Sequence, residues 1–400
     1  MEYDFDEIID RRNTNAIAAE GFRDYLFADQ PPIELPCPDD EALSMWVADM
    51  AFASAPAARD AMRSRIDSHP ILGYSTVFEP ELYDVFAEWC DRRYHWRPER
   101  DHLIPSSAVV PALYALAEIF LEPGEAAITL TPSYGFFSHA PTERNRRLVT
   151  CALAKQGDGT YSVDLDDFGA KVADPEVKLF YLCHPHNPTG TYFSDDALLQ
   201  MAELCEANDV LIVSDEIHCD LLRTGLTHTP LAKLVPDNDR IITTMSASKT
   251  FNLAGLSFAI VIIADAGLRK QWTDYNLAVQ NPVSIEGTIG AFRDGEQWHQ
   301  HLTTYLDANF AYLAERLRAE LPDASFTIPD ATYLAWIDLS GYFPADTNLT
   351  RYFAEAEGLL LEGGEMFVAD GDGHVRLNLA CPRALLANGI DRLIRATLNR

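Results

Sequence analysis

The feature of this sequence that most constrains its fold is an alternation of strand-like and helix-like stretches between about residues 105 and 265. The strand-like runs, rich in apolar residues, are AAITLTP, VKLFYLCHP, DVLIVSDE, RIITTMS and SFAIVIIAD. One of the intervening stretches, SDDALLQMAELCEAND, carries apolar residues at helical spacing. Continuous apolar strands that alternate with amphipathic helices are typical of a parallel or mostly parallel sheet with helices on both faces. The sequence therefore predicts an α/β fold with a mostly parallel sheet.

The remainder of the chain predicts a second, smaller unit. A helical pattern over about Trp298–Leu321 leads to the strand-like TYLAWIDL, to shorter strand-like pieces and to a terminal helix. The first 50 residues, with the proline-rich connector QPPIELPCPDD, are expected to join this α+β lobe. A chain of 400 residues is too long for one ordinary core. We predict a large domain over residues 52–290 and a small domain formed by residues 1–51 and 291–400.

The charge balance argues against several kinds of partner. The 31 Lys and Arg residues face 61 Asp and Glu residues, which gives a formal net charge of −30. Neither nucleic acid nor an anionic membrane surface is therefore expected as a partner. The sequence shows no apolar run near the roughly 20 residues that span a bilayer, and its charged N-terminus is unlike a signal peptide. Because the seven cysteines form no CxxC pair, reduced thiols and a cytoplasmic location are expected.

Polar and aromatic side chains follow the predicted strands, where an open α/β sheet binds its ligands. They are Tyr134, Asn187, Asp215, His218, Ser246, Ser248 and Lys249. The segment PSSAVV, just before the helical PALYALAEIFL, can offer free backbone amides to an anion. An amide, an acid, an aromatic face, an anion site and a lysine suit a flat, basic, phosphorylated aldehyde. This is how proteins position pyridoxal 5'-phosphate.

Each of these residues also has an ordinary structural interpretation. Most lysines are solvated surface charges, although Lys249 in a short loop after an interior strand can act as a nucleophile with a lowered pKa. The NPTG tetrapeptide after Asn187 is usually a turn. An aspartate at a strand end, such as Asp215, is often a helix cap, and a lone Tyr134 is more often a core residue. The combination, rather than any single residue, indicates the cofactor.

The order Tyr134, Asn187, Asp215, Lys249 and Arg376 resembles the fold-type-I, aspartate-aminotransferase-like pyridoxal-phosphate enzymes. The spacings of 28 residues from Asn187 to Asp215 and 34 from Asp215 to Lys249 are similar to those of that superfamily. The resemblance covers almost the whole chain and is closest to the branch of cystathionine β-lyases and cysteine-S-conjugate β-lyases. The motifs that carry it are YDFDEIIDRRNTN, MWVADMAF, LGYS, HPHNPTG, SDEIHCDL, SASKTFNLAGL, TYLAWIDL and VRLNLACPR.

The resemblance implies a role for each residue around the cofactor ring. Lys249 would bind the aldehyde covalently and then move the Cα proton of the substrate. Asp215 would pair with the pyridine nitrogen and Asn187 with the ring hydroxyl. His218 would lie near that hydroxyl, with a core histidine as the alternative, and Tyr134 would stack on the ring.

The resemblance also implies the phosphate and substrate contacts. The phosphate would bind backbone amides of Ala108, Val109 and Val110 and the hydroxyls of Ser246 and Ser248. Tyr74 would reach the phosphate from a neighbouring subunit, which implies a homodimer with shared active sites. Arg376 would clamp the α-carboxylate of an amino-acid substrate, because a guanidinium can bind a carboxylate through two parallel hydrogen bonds.

The implied activity is a pyridoxal-phosphate-dependent C–S β-lyase that cleaves cystathionine or related L-cysteine thioethers to thiol, pyruvate and ammonia. An aminotransferase is the alternative, since it would share the same cofactor shell. A third interpretation, from a different class, is a regulator of this fold that acts by binding another protein. A nicotinamide-dependent dehydrogenase is disfavoured because the sequence has no GxGxxG. A metal site is also disfavoured, because the eleven histidines show no ligand spacing beyond His184 and His186.

Overall fold

The structure, a computed structural model, describes residues 3–28, 30–75, 80–276 and 280–400. Its strands are β1 (Leu43–Ser44), β2 (Leu103–Ser106), β3 (Ala126–Thr131), β4 (Arg147–Lys155), β5 (Tyr161–Val163), β6 (Val177–Cys183), β7 (Leu211–Asp215), β8 (Ile241–Met245), β9 (Ala259–Ile263), β10 (Leu334–Asp338), β11 (Leu359–Leu360), β12 (Glu362–Gly363) and β13 (His374–Asn378). Its α-helices are α1 (Ile17–Glu20), α2 (Phe22–Leu26), α3 (Pro56–Ser68), α4 (Pro80–Tyr94), α5 (Val109–Phe120), α6 (Phe136–Thr142), α7 (Leu165–Val172), α8 (Asp195–Ala207), α9 (Leu231–Leu234), α10 (Ala247–Thr250), α11 (Ala266–Tyr275), α12 (Pro282–Asp294), α13 (Glu296–Glu320), α14 (Leu349–Glu357) and α15 (Arg383–Leu398).

The largest sheet has eight strands in the order β2-β9-β8-β7-β6-β3-β4-β5. Strands β4, β3, β6, β7 and β8 are mutually parallel. Strand β9 runs antiparallel to both of its neighbours, and β5 runs antiparallel to β4. The prediction of a mostly parallel sheet is confirmed, and the five strand-like runs form β3, β6, β7, β8 and β9.

The apolar character of the central strands follows from burial on both faces. In β6, Leu179 and Tyr181 pack into the core under α5, α6 and α11. Phe180 and Leu182 point to the opposite face and pack with residues of α7 and α8. Because successive side chains alternate between faces, a strand covered on both sides carries apolar side chains at most of its positions.

Helix α8 illustrates how the local sequence sets the boundaries of an element. The Ser194 side chain caps its first turn by accepting a 3.2 Å hydrogen bond from the backbone N–H of Ala197. The buried residues Leu198, Met201 and Cys205 recur at helical spacing and face the sheet. A capping serine followed by an apolar stripe is the expected start of an amphipathic helix.

The C-terminal part builds a smaller antiparallel sheet in the order β10-β13-β12. Helices α14 and α15 and the end of α13 pack with this sheet into one apolar cluster. The start of α13 packs instead with α4, α12 and the edge of the large sheet. The N-terminal strand β1 pairs with β11, so residues before the large sheet do contact the C-terminal part. The boundaries at residues 51/52 and 290/291 stay a prediction.

The seven cysteines are free thiols, and all are buried except the half-buried Cys37. Within the described ranges, no helix is both long and apolar enough to cross a bilayer.

Candidate active site

The strand ends of the large sheet surround one cavity of about 210 Å³. The predicted residues that line it are Ala108, Val109, Val110, Tyr134, Asn187, Asp215, His218, Ser246, Ser248 and Lys249. They come from five separate places in the sequence, and the parallel strands bring them to a common edge. Two predicted residues, Arg376 and Tyr74, do not line this cavity.

Lys249 lies on the short helix α10, directly after β8. Its Nζ donates a 2.7 Å hydrogen bond to the carbonyl oxygen of Ala48, which also accepts a 2.7 Å hydrogen bond from the Tyr333 hydroxyl. A carbonyl partner holds the amine in place without adding a negative charge beside it. The amine can therefore lose its proton more readily than a lysine paired with a carboxylate.

The pKa of Lys249 is lowered to about 8, chiefly by burial and secondarily by the positive charge of Arg376. The carboxylates of Asp49, Asp215 and Glu362 oppose this shift. A pKa near 8 gives Lys249 a substantial neutral fraction at neutral to mildly alkaline pH. A neutral amine is the form that attacks an aldehyde.

Asp215 ends β7, and its carboxylate is buried. One carboxylate oxygen accepts hydrogen bonds of 3.1 Å from the backbone of Ile217 and 3.2 Å from the Thr244 hydroxyl. Burial nevertheless raises the pKa of Asp215 to about 7. Because this carboxylate is costly to bury alone, a cationic group placed in the cavity would stabilise it.

His218 and Tyr134 contribute uncharged rings to the site. Burial lowers the pKa of His218 to about 3, and the charges of Lys249 and Arg376 add to the effect. Burial also raises the pKa of the Tyr134 hydroxyl. Both rings are therefore neutral near pH 7 and can contact an aromatic ligand or donate a hydrogen bond without a net charge.

The sequence predicts an anion site at the N-terminus of α5, and this stays a prediction. Ala108 occupies the cap position and provides no side-chain hydrogen bond to the first turn. The amides there are consequently available to an anion, and the helix dipole favours negative charge at this end.

Ser246 and Ser248 line the cavity, and their predicted contacts with a phosphate stay a prediction. The Ser246 hydroxyl donates a 2.6 Å hydrogen bond to the carbonyl oxygen of Phe258 and accepts one of 3.1 Å from the amide of Ser248. A phosphate would compete with Phe258 for the Ser246 proton.

Arg376 lies on β13 and reaches the site from the small sheet. Its Nη1 donates a 3.0 Å hydrogen bond to the side-chain oxygen of Asn187, and its Nη2 donates one of 3.1 Å to the carbonyl oxygen of Trp46. The guanidinium also lies over the Phe367 ring, with 5.1 Å to the ring centroid. Nη2 forms an ion pair with the buried carboxylate of Glu362. Arg376 is thus held beside the cavity through Asn187.

Tyr74 is exposed to solvent in its own chain. It belongs to a segment without helix or strand, and 97% of its surface is exposed. Its predicted contact with the phosphate of a neighbouring subunit stays a prediction.

A second cavity, of about 780 Å³, meets the first at Ala48, Lys249 and Ala254. The Arg11 guanidinium on its wall binds both carboxylate oxygens of Asp49, at 3.0 and 2.7 Å. This second cavity therefore also reaches Lys249.

The sequence reasoning missed three residues that shape the site: Ala48, Thr244 and Glu362. Ala48 acts through its backbone carbonyl, which no residue type reveals, although it lies in the quoted motif MWVADMAF. Thr244 lies in the predicted strand RIITTMS, where a threonine between apolar residues is a weak polar signal. Glu362 precedes two glycines in LLLEGGEMF, and nothing local distinguishes it from a surface glutamate.

The fold and the cavity define an aspartate-aminotransferase-like protein of fold type I. The family model for aminotransferase class I and II matches residues 43–393, and the chain belongs to that family. This confirms the family resemblance found in the sequence motifs.

Two curated proteins and one solved structure are similar to this chain over most of its length. Cystathionine β-lyase PatB of Bacillus subtilis is 36% identical over 90% of this chain and 93% of its own. Protein MalY of Escherichia coli is 32% identical over 89% and 92%. A structure of the pyridoxal-phosphate-bound C–S lyase from Staphylococcus hominis superposes with a TM-score of 0.96 at 42% identity, covering 99% of this chain and 98% of that one.

Proposed function

We propose that this protein is a pyridoxal-phosphate-dependent C–S β-lyase that cleaves cystathionine or related L-cysteine thioethers. One water is consumed for each thioether, and the products are a thiol, pyruvate and ammonia. The observation that carries the proposal is the meeting of the Lys249 amine, the Asp215 carboxylate and the uncapped start of α5 in one cavity. The similarity to lyases over nine-tenths of the chain supports the reaction type.

The residues present fit the cofactor. Asp215 would hold the ring nitrogen, Asn187 the ring hydroxyl and the α5 amides the phosphate, with Tyr134 against the ring face and His218 near the hydroxyl. When bound, pyridoxal phosphate supplies an electron-accepting ring that makes the Cα–H bond of an amino acid acidic. The protein supplies the proton acceptor and the orientation.

Lys249 is the residue that attaches the cofactor and then moves protons. Its amine, neutral above a pKa of about 8, can accept the substrate's Cα proton. The carboxylate clamp Arg376 fixes the α-carboxylate and so limits rotation of the substrate about its Cα–N bond. Departure of the thiolate from Cβ then completes the elimination.

A homodimer is part of this proposal. Tyr74 is exposed beside the exposed Ile71, at 83%, and Leu72, at 54%. An exposed apolar segment next to a tyrosine is suited to contact with a second subunit. The free thiols favour a reducing compartment, and we propose the cytoplasm.

The decisive test separates lyase from aminotransferase activity. Purified protein is incubated with L-cystathionine, and separately with an L-amino acid and a 2-oxo acid, and thiol, pyruvate and new amino acid are assayed. Thiol and pyruvate in equal amounts are expected. Robust amino transfer without thiol release from any cysteine thioether would refute the lyase activity and indicate an aminotransferase.

A matched pair of lysine variants tests the cofactor attachment. Lys249→Ala should lose the borohydride-trapped adduct with the cofactor and the activity. Lys270→Ala, which removes an exposed lysine that pairs with Asp274, should retain both. A colourless wild-type protein that stays inactive with added pyridoxal phosphate would refute the cofactor assignment.

A further inference from the structure

Glu362 is a charged residue of the site to which the proposed reaction assigns no role. It lies on β12 directly opposite Arg376 on β13, as a cross-strand pair of the small sheet. Side chains of directly paired residues lie on the same face, with Cβ atoms about 4.5–5.5 Å apart. The register of the sheet therefore fixes a carboxylate beside the guanidinium that is proposed to bind the substrate.

The contacts of Arg376 show what this carboxylate does to the clamp. A guanidinium can bind a carboxylate through two forks, Nη1 with Nη2 or Nε with Nη2, and both forks include Nη2. Nη2 already donates to the carbonyl oxygen of Trp46 and forms the ion pair with Glu362. A nitrogen with two hydrogens has no place for a third acceptor. Two-point binding of a substrate carboxylate thus requires one of these two oxygens to leave Nη2. Glu362 offers a side-chain oxygen that can rotate away, whereas the Trp46 oxygen belongs to the backbone.

The ion pair with Arg376 is the contact that holds the Glu362 carboxylate in place. Apart from its ion pair with Arg376, the Oε2 atom of Glu362 has no partner among the described residues. The Nε of Arg376 likewise has no partner in the described part of the chain, and a substrate carboxylate can satisfy it. Exchange of one carboxylate for the other keeps the charge of Arg376 compensated. The displaced Glu362 takes up a proton from solvent, which burial favours because it raises the pKa of this carboxyl.

We propose that Glu362 occupies the carboxylate clamp as an internal competitor, which an incoming α-carboxylate displaces from Arg376. This inference rests on the proposed function, since it takes Arg376 as the substrate clamp. The free-energy cost of displacing Glu362 is the same in the substrate complex and in the transition state. Glu362 therefore affects KM rather than kcat.

The test measures binding of L-alanine, which carries an α-carboxylate but no leaving group, to the cofactor-loaded enzyme by calorimetry. Glu362→Gln removes the charge while retaining the shape, and it should bind L-alanine about tenfold more tightly than the wild type. KM for L-cystathionine should fall in parallel, with kcat nearly unchanged. Glu362→Asp, whose shorter carboxylate withdraws from Arg376, should also bind more tightly and serves if the glutamine variant fails to fold.

Two controls separate the possible failures. Glu365→Gln removes an exposed carboxylate from the same loop, one that accepts a 2.8 Å hydrogen bond from the Thr350 amide, and should leave the affinity for L-alanine unchanged. Equal or weaker binding in Glu362→Gln, while Arg376→Ala loses binding, would overturn the competitor role and make Glu362 a support for the clamp. Wild-type affinity in Arg376→Ala would instead refute the clamp and the proposed function's use of it.

Discussion

The guanidinium of Arg376 donates a 3.0 Å hydrogen bond to the side-chain oxygen of Asn187, a residue 189 positions earlier in the chain. The first lies on the small antiparallel sheet and the second follows β6 of the large sheet. This bond links the proposed substrate clamp to a residue that lines the cofactor cavity. In the proposed function, a shift between the two sheets would therefore change the position of the substrate relative to the cofactor ring.

Replacement of Arg376 should therefore damage catalysis without removing the cofactor. We expect Arg376→Ala to lower kcat/KM for L-cystathionine on the order of 10²-fold, about 3 kcal/mol, because a charged two-point contact is lost. Arg376→Lys should recover only part of the loss, since an ammonium cannot form the fork. Steady-state kinetics check this, and the visible spectrum of the bound cofactor should stay nearly unchanged. Full activity in the lysine variant would contradict two-point binding.

The lowered pKa of Lys249, about 8, predicts a pH dependence of cofactor attachment. Only the neutral amine attacks the aldehyde, so the attachment rate should rise about tenfold per pH unit below pH 8 and level off above it. The measurement is the rate of borohydride-trapped adduct formation on cofactor-free protein, followed by mass spectrometry. Lys249→Ala corrects for adducts on other lysines. A midpoint near 10, the value of an ordinary lysine, would contradict the burial argument.

The raised pKa of Asp215, about 7, predicts that this residue costs stability in the cofactor-free protein. A carboxyl whose pKa is higher in the folded than in the unfolded state binds its proton more tightly when folded. Its contribution to stability is consequently lost as pH rises from about 4 to about 7. Asp215→Asn should be more stable than the wild type by up to about 4 kcal/mol at pH 8.

Urea unfolding of the cofactor-free proteins checks this prediction. The advantage of Asp215→Asn should be smaller at pH 5 than at pH 8, because folded Asp215 still holds its proton at pH 5. Asp196→Asn, a change at an exposed position of α8, is the control and should show no such trend. The same Asp215→Asn variant should bind pyridoxal phosphate more weakly, since an amide cannot stabilise a protonated ring nitrogen. An advantage independent of pH would argue against the buried, titrating carboxyl.

Tyr74 provides the test of the shared active site. If its hydroxyl contacts the phosphate in a neighbouring subunit, Tyr74→Phe should release the cofactor faster on dialysis while its thermal unfolding remains that of the wild type. Light scattering should show a dimer for both proteins. A stable, fully active monomer would refute the shared-site arrangement.

Much of the fold could be predicted from local patterns. The five apolar runs become strands because their residues are buried on both faces, and Ser194 with the apolar stripe behind it marks the start of α8. The residue types after each strand, among them Asn187, Asp215 and Lys249, indicate the chemistry of the site from the sequence alone. Parallel strands then bring those residues together, which is a property of the sheet rather than of any one motif.

Local sequence therefore specifies the helices and strands and the chemical groups at their ends, because periodicity and turn chemistry act over a few residues. The contacts of these groups and their pKa values depend instead on the tertiary structure. The Ala48 carbonyl meets Lys249 across 201 positions, and the pairing of β12 with β13 sets Glu362 against Arg376. The shifted pKa values of Lys249 and Asp215 likewise arise from burial by distant segments. Register, burial and long-range contact depend on how the whole chain packs, and no local pattern encodes them.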